Sequence, residues 1–251
     1  MTQVAEKYSS SGNKVTIICD FSPPRGVDLT NLEAARNLDS DFICTAYNPG
    51  KSIRIDSASA AYWIMEHTGK NTIFTIATRD MNRIAIQSNL LGAQLLGLDN
   101  VVVVMGDPIA GQELTPAKDS INLTTTGLIN TISDMNLGFD FRGRKLSAPT
   151  NFCIGATIDL TKNLEKESRL TQKKVEAGAQ FFITQPIYNT SEAQEFEHTY
   201  LRLTNTHITI PIFYGLQGPA KEGVFFGNIP TSLQQELEQG RDGTDIALQL
   251  L

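Results

Sequence analysis

Three polar residues close apolar, β-branched runs of the sequence: Asp20, Asp107 and Gln185. A carboxylic acid whose pKa is raised by burial can donate a proton, and a fixed carboxylate can stabilise developing positive charge. A side-chain amide offers a hydrogen-bond donor and an acceptor together. Asp20 and Asp107 also lie just before prolines, where the alternative is a turn role. We expect all three to converge at the C-terminal ends of strands, where α/β barrels build their sites.

Seven such runs, with helical patterns between them, predict a parallel α/β fold. Most start roughly 30 residues apart, room for a strand, a crossover helix and two loops. Because the runs are apolar throughout, both faces of the sheet must be covered. We predict one TIM-type (β/α) barrel domain over residues 1–251, with a doubly wound sheet as the alternative. The predicted strands are Val15–Asp20, Phe42–Ala46, Thr72–Ala77, Asn100–Met105, Phe152–Ile158, Gln180–Thr184 and Thr209–Tyr214.

One interval is longer than the others. Residues 106 to 150 are predicted to hold a loop, a helix around Ser120–Asn136 and a glycine-rich connector. A long connection after a strand is typical of the active-site end of a barrel.

The count of strands stops at seven, and Gly243–Leu251 has the pattern of a final helix. A closed barrel of this type needs an eighth strand. We therefore expect the eighth βα unit to be lacking and the first and seventh strands to have unpaired edges, which favours self-association or a partner subunit that closes the barrel.

For two of the helices between the runs, residues typical of helix ends indicate where the helix begins or ends. The pattern from Asn82 to Leu96 is followed by Gly97, as a helix C-terminus requires. Ser191 is predicted to cap the helix after the sixth run, with Glu192 in its positive first turn.

Composition excludes several classes of protein. A net charge of −6 and a pI near 5.1 argue against a nucleic-acid partner. The apolar runs are too short to cross a membrane, and the polar N-terminus does not resemble a signal peptide. Three cysteines lie in apolar runs without metal-ligand or disulfide spacing, which indicates buried thiols, no metal and a cytoplasmic location.

Four groups of segments share their order and spacing with one known family. They are Asp20–Gly26 (DFSPPRG); Thr78–Arg83 with Gln87–Ala93; Gly106–Pro108; and Asn151–Ala156 with Lys174–Gln180 and Thr184–Pro186. With these segments, the chain resembles the methylenetetrahydrofolate reductases, especially the bacterial domains fused to homocysteine methyltransferases. Each segment alone is weak, but their order and their positions at strand ends are specific over residues 15 to 190.

The resemblance implies an oxidoreductase of one-carbon metabolism and methionine biosynthesis. It would reduce 5,10-methylenetetrahydrofolate to 5-methyltetrahydrofolate with a bound flavin, FAD or else FMN, and NADH or NADPH as the electron donor. Asp20 stands where the family has a glutamate and is implied as the general acid. Asp107 is implied to stabilise the cationic iminium formed from folate, and Gln185 to bind the pterin. The implied flavin-binding residues are Thr75, Gly106, Asp107, Thr157, Asp159, Glu167 and Lys174.

Several positions depart from the family pattern. Ala46 and Ala77 stand where the family has threonines, Thr75 stands where it often has histidine, and the segment after the seventh run is Gly215–Pro219 (GLQGP). Each lost hydrogen bond to a flavin is worth about 1 kcal/mol. For Glu167 and Lys174 the alternative is an ordinary solvated helix face.

Three functions follow for comparison. The first is the flavin-dependent reductase. The second is a folate- or flavin-binding subunit with little or no independent activity, which the substituted flavin contacts favour. The third is a pterin-dependent methyl-transfer component that has kept the folate pocket without the flavin.

Overall fold

The computed structural model describes residues 1–12, 14–106, 123–218, 227 and 229–249. Within these ranges, helices alternate with strands along the chain. The strands are β1 Ile18–Phe21, β2 Phe42–Thr45, β3 Asn71–Ala77, β4 Asn100–Val104, β5 Cys153–Ile158, β6 Phe181–Pro186 and β7 Ile212–Gly215. The α-helices are α1 Val4–Ser10, α2 Leu29–Glu33, α3 Ser57–Thr68, α4 Arg83–Leu95, α5 Thr125–Asn136, α6 Leu164–Glu176, α7 Thr190–Thr204, α8 Thr231–Glu238 and α9 Gly243–Leu248, with 3-10 turns at Ala34–Asn37 and Pro49–Lys51.

The strands follow one another in the sheet in chain order, from β1 to β7. Each pair from β1 to β5 is parallel, as is the pair β6 and β7. A doubly wound sheet reverses its strand order part-way across. The consecutive order excludes that alternative, and the fold is the predicted TIM-type (β/α) barrel. In the described ranges the strand order ends at β1 on one side and at β7 on the other.

Two predicted strands start too early. β1 begins at Ile18 rather than Val15, because the Val15 side chain is 82% exposed and the Ile17 backbone N–H donates to the Asp41 carboxylate at 2.9 Å. β7 begins at Ile212 rather than Thr209. Pro211 precedes it and has no N–H to donate to a ladder.

The helix ends confirm one prediction and correct another. α4 starts after Asn82, whose side chain accepts from the Ala85 N–H, and Gly97 has a φ of 78° just beyond its end. For α7 the N-cap is Asn189 rather than Ser191. The Asn189 side chain accepts from the Ser191 N–H, and Glu192 accepts from the Asn189 N–H, which completes a capping box.

The long interval after β4 contains the predicted helix in its described part. α5 covers Thr125–Asn136 with Thr124 as its N-cap, while the start predicted at Ser120 lies outside the described residues. The connector beyond it forms a tight antiparallel turn, with a bridge between Phe139 and Lys145.

The chain divides into two compact units. Unit 1 comprises Met1–Ala156 and Glu176–Gln180, and unit 2 comprises Thr157–Val175 and Phe181–Leu251. In unit 1, α3 packs against β2 and β3, and α5 packs against β4. The fully buried side chains of this unit include Ile64, Ile86 and Leu90. In unit 2, Phe181 packs edge-on against Phe213, with ring centroids 6.2 Å apart. The single-domain boundary over residues 1–251 stays a prediction.

The N-terminal segment is held against the start of β4 in unit 1. Asn100 is fully buried, and its Oδ1 accepts from the Val4 N–H at 2.9 Å. Its Nδ2 donates to the carbonyls of Thr2 and Thr72 at 3.0 and 3.2 Å. Three backbone groups from two parts of the chain therefore depend on one side-chain amide.

No described helix is long and apolar enough to cross a membrane. Over the same ranges, no three His, Cys, Asp or Glu side chains are placed to hold a metal ion together. Cys44 and Cys153 are buried as expected, whereas Cys19 is only half-buried.

Candidate active site

Asp20 lies near the C-terminal end of β1, beside Cys44 on β2. Its side chain is open to solvent, yet the protein around it raises the pKa of Asp20 through desolvation. No described residue supplies a hydrogen bond or a cation that would offset this effect. A carboxyl that is accessible and biased towards its protonated form suits a proton donor.

Cys44 and Thr75 lie on the same face of the sheet as Asp20. The Cys44 Sγ is 3.7 Å from the Thr75 Oγ1, and both side chains are buried. Burial, and then the charge of Asp20, raise the pKa of the Cys44 thiol. Thr75 is therefore at the predicted strand, but its hydroxyl already contacts a neighbouring thiol.

The neighbouring strand ends are apolar. Ala77 is fully buried, and Ala46 is half-buried with its N–H donated to the Phe21 carbonyl at 2.9 Å. Thr45 is the polar residue next to Ala46, and it faces away from the site. Its hydroxyl donates to the carbonyls of Ser57 and Ile73. The ends of β2 and β3 thus offer methyl groups where the family pattern has hydroxyls.

Sequence reasoning missed a polar group just beyond these ends. The Arg79 guanidinium holds Asp80 with two hydrogen bonds, of 2.6 and 2.7 Å. Asp80 also bonds the phenol of Tyr47, and burial together with the Asp80 charge raises the pKa of Tyr47 to about 12. The usable signal was position, because Tyr47 and Asp80 lie in the loops that begin where β2 and β3 end.

Gly106 is required by the backbone where β4 ends. Its φ is +81°, and a Cβ there would lie 3.3 Å from the Cβ of Arg79 and 3.4 Å from the Cβ of Ala77. Any larger residue would be strained and would press on the end of β3. Asp107, the next residue, lies outside the described residues.

Unit 2 brings together the predicted residues of β5 and α6. The Lys174 Nζ donates to the Thr157 carbonyl at 2.6 Å and lies 3.4 Å from the Glu167 Oε1. Lys174 and Glu167 are only 4% and 5% exposed, so the solvated helix face is wrong for both. Desolvation lowers the pKa of Lys174, and the Glu167 charge opposes that change.

Asp159 completes this group, called here the β5–α6 cluster (Thr157, Asp159, Glu167 and Lys174). The Asp159 N–H donates to the Glu167 Oε1 at 3.4 Å, and its carboxylate contacts the Lys162 Nζ at 2.9 Å. Desolvation alone would raise the pKa of Asp159. The hydrogen bonds from Thr161 and Lys162 outweigh this effect and hold the pKa below its usual value.

Gln185 is half-buried near the end of β6. The preceding Thr184 hydroxyl donates to the Gln185 carbonyl at 2.7 Å and accepts from the Gly215 N–H at 2.9 Å. Gly215 has no room for a side chain, since a Cβ would lie 2.9 Å from both the Pro186 N and the Thr184 carbonyl oxygen. The start of the GLQGP segment is therefore packed tightly against β6.

The convergence of Asp20, Asp107 and Gln185 in one cleft stays a prediction. Asp20 belongs to unit 1 and Gln185 to unit 2. Each lies near the C-terminal end of its own strand, as predicted.

Comparison with known proteins decides the family. The family model described as methylenetetrahydrofolate reductase matches residues 5–218. The chain belongs to the methylenetetrahydrofolate reductase family. No curated protein sequence matches it.

Solved structures similar to this reductase-family chain share its fold at low identity. An uncharacterized protein from Clostridium thermocellum, described as binding two copies of 5-methyl-5,6,7,8-tetrahydrofolic acid, has 15% identity and a TM-score of 0.68, over 99% of this chain and 85% of its own. A 2,3-dimethylmalate lyase of the PEP mutase/isocitrate lyase superfamily has 12% identity and a TM-score of 0.54, over 96% and 78%. A lyase or mutase from Burkholderia cenocepacia J2315 has 14% identity and a TM-score of 0.52, over 98% and 83%.

The family's flavin can be tested against the residues present. The β5–α6 cluster holds a buried ammonium and a carboxylate at the end of a strand, chemistry that fits the phosphate and hydroxyls of a flavin side chain. The ends of β2 and β3 fit the ring less well, because Ala46 and Ala77 have no polar atoms to offer it. The residues therefore fit the side chain of a flavin, and they would offer its ring fewer hydrogen bonds than the family pattern does.

Proposed function

We propose that this chain is an oxidoreductase that reduces 5,10-methylenetetrahydrofolate to 5-methyltetrahydrofolate, with a bound flavin and NADH or NADPH. The observation that carries the proposal is Asp20, an accessible carboxyl near the end of β1 in a chain of this family. Its pKa is raised, and no residue that the structure describes compensates for this. The reaction needs such a group, because opening the bridged ring requires a proton on the departing nitrogen.

Each of the three predicted site residues would have a different role in this reaction. Asp20 holds the proton at its carboxyl until the ring nitrogen accepts it. Gln185 presents an amide that can match the donors and acceptors of the pterin edge. Asp107, at a position outside the described residues, would place a carboxylate near the developing cation.

The β5–α6 cluster would hold the cofactor, FAD or FMN. Lys174 has the charge for a phosphate, and Glu167, Thr157 and Asp159 have acceptors for the hydroxyls of its chain. Thr75 and Gly106 would lie beside the ring. When bound, the flavin supplies the hydride that the nicotinamide nucleotide has delivered. The protein orients the two rings and keeps the acid in place.

A second candidate is a folate-binding subunit with little or no independent activity. Two observations favour it: the apolar strand ends at Ala46 and Ala77, and the description of the Clostridium thermocellum neighbour as a folate-binding protein. This function needs Gln185 and the pterin pocket, but it does not need Asp20 to titrate.

The visible spectrum of the purified chain, mixed with FAD or FMN and freed of excess, separates the candidates. Under the proposal, the protein is yellow, bleaches with NADH or NADPH in the absence of air, and recolours when methylenetetrahydrofolate is added. Protein that binds 5-methyltetrahydrofolate but does not bleach and recolour would overturn the proposal in favour of the second candidate. Colourless protein would favour the methyl-transfer component.

A further inference from the structure

A cavity of about 330 Å³ lies in unit 1, away from the strand ends just described. One wall is α4, and the other is α5 with the turn that follows it. Its apolar lining comes from Ile84, Leu91, Met135 and Leu146. The volume is at the lower end of the range of small-molecule sites. None of its lining residues has a part in the proposed reduction.

Gln87 gives this cavity a polar wall. The side chain is 7% exposed, and its Oε1 accepts from the Phe141 N–H at 3.1 Å. That hydrogen bond fixes the orientation of the amide and uses its oxygen, so the Nε2 is the amide's remaining polar group. The Nε2 is buried and has no hydrogen-bond partner among the described residues. An unpaired buried donor destabilises the fold, and an acceptor arriving from outside would relieve this cost.

The turn on the other side contributes two arginines to the lining of the same cavity. The Asp140 carboxylate accepts from the backbone N–H groups of Arg142 and Arg144, both at 2.8 Å, and this fixes the turn. These hydrogen bonds hold the pKa of Asp140 below its usual value. Both arginines line the cavity, and the Arg142 guanidinium lies over the Phe141 ring, 5.1 Å from its centroid.

We propose that this cavity, formed by Gln87, the Asp140–Arg144 turn and the apolar residues of α4 and α5, is a binding site for a small aromatic carboxylate. The flat apolar body would lie against Ile84, Leu91 and Leu146, whose side chains are at least partly exposed. The carboxylate would accept from the Gln87 amide and face the arginines of the turn. A cation of the guanidinium type is suited to a planar carboxylate, since its donors match both oxygens.

The negative net charge of the chain means that only local cations can attract a carboxylate to this cavity. The whole chain has a net charge of −6, so an anion has no general attraction to it. Binding of a carboxylate must therefore depend on the few cations at the site, and it should weaken as salt is added. A neutral molecule of the same shape would keep the apolar contacts and lose the charged ones.

The test uses 2-naphthoate as the probe, with its intrinsic fluorescence anisotropy followed as the full chain is titrated. The neutral 2-naphthalenemethanol serves as the ligand control. Gln87→Glu keeps the acceptor for the Phe141 N–H and replaces the donor with a carboxylate. Arg142→Gln and Arg144→Gln remove the cations singly. Arg83→Gln is the matched control, because Arg83 is an exposed residue of α4 that does not line the cavity.

The wild-type chain and Arg83→Gln should bind 2-naphthoate saturably and alike. Gln87→Glu and at least one of the two arginine variants should bind it at least about 10-fold more weakly, the scale of one charge-assisted hydrogen bond. Thermal melts establish that each variant is folded, and the arginine variants decide the matter if Gln87→Glu does not fold. Unsaturable binding, equal binding by all variants, or equal binding of the neutral alcohol would overturn the proposal. The result does not depend on flavin or folate.

Discussion

Asp20 in unit 1 and Glu167 in unit 2 show two ways in which a fold can hold a carboxylate. Glu167 is 5% exposed and has the Lys174 ammonium 3.4 Å away, so its burial is compensated. Asp20 remains open to solvent but has no described partner, and desolvation raises its pKa. The compensated group contributes to stability, and we propose that it also helps to hold the cofactor. The uncompensated group is suited to exchanging a proton, which is the role proposed for it.

The largest effect is expected from removing the uncompensated acid. Asp20→Ala should slow reduction of methylenetetrahydrofolate by about 10²–10⁴-fold, the usual contribution of a general acid. Reduction of the flavin by NADH or NADPH should stay within about twofold, because that half-reaction does not use the proton. Stopped-flow absorbance of the two half-reactions measures both.

Asp20→Glu is the matched variant, since it restores the longer family side chain. It should raise turnover if the short side chain limits the reaction. Equal losses in both half-reactions of Asp20→Ala would instead point to a damaged fold and remove Asp20 from the mechanism.

The next largest effect is expected from breaking the buried pair. Glu167→Ala leaves the Lys174 ammonium buried without its partner and should lower the free energy of unfolding by about 3–5 kcal/mol. The double variant Glu167→Leu with Lys174→Met should recover most of this loss, because it removes both charges. Urea denaturation followed by circular dichroism gives the values.

An exposed pair in the same unit provides the control. Glu165 and Arg202 are 2.7 Å apart with more than half of each side chain exposed, so Glu165→Ala should change stability by less than about 1 kcal/mol. A Glu167→Ala variant as stable as Glu165→Ala would mean that the buried pair is hydrated and that the contrast between the two regions is wrong.

The smallest effect concerns the sign of the pH dependence at Asp20. Because its folded pKa is raised, Asp20 favours folding below its unfolded pKa and loses that contribution as pH rises through the folded pKa. At pH 7 the charged carboxylate of Asp20 therefore destabilises the folded state. Asp20→Asn removes this charge and should raise the Tm by about 1–2 °C after allowance for solvent screening.

The gain should shrink towards zero as the pH falls to about 4, where Asp20 is increasingly protonated in both states. Differential scanning calorimetry at several pH values measures it. A gain that grows on acidification would show that the carboxylate is stabilised in the folded state, and Asp20 could not be the acid.

Much of the fold follows from local pattern. Apolar runs at regular spacing predicted the parallel barrel, because each buried strand needs apolar residues on both faces. The predicted first residues of β1 and β7 were wrong, because solvent exposure rather than sequence periodicity determines where a strand begins. Val15 is β-branched but 82% exposed, and it falls outside β1. Ser191 and Asn189 are both good caps, and only the backbone geometry selects Asn189.

The candidate site was less predictable, for a different reason. Asp20 was found because it ends an apolar run, but the hydrogen bond between Tyr47 and Asp80 is a contact between loops that no local pattern records. Lys174 lies on a helix rich in charge, and nothing in its neighbours along the chain indicates that it is buried. Burial of polar residues depends on which element covers them, and this is a property of tertiary packing.

The amide of Asn100 has a consequence for the order of folding events. Its bond to Val4 joins residues 96 positions apart in the chain. We expect the first residues to dock only after β3 and β4 have formed the surface that receives them, because closing so long a loop early is entropically unfavourable. If α1 docks late on the folding pathway, the Asn100 contacts will act chiefly on the rate at which the native state opens.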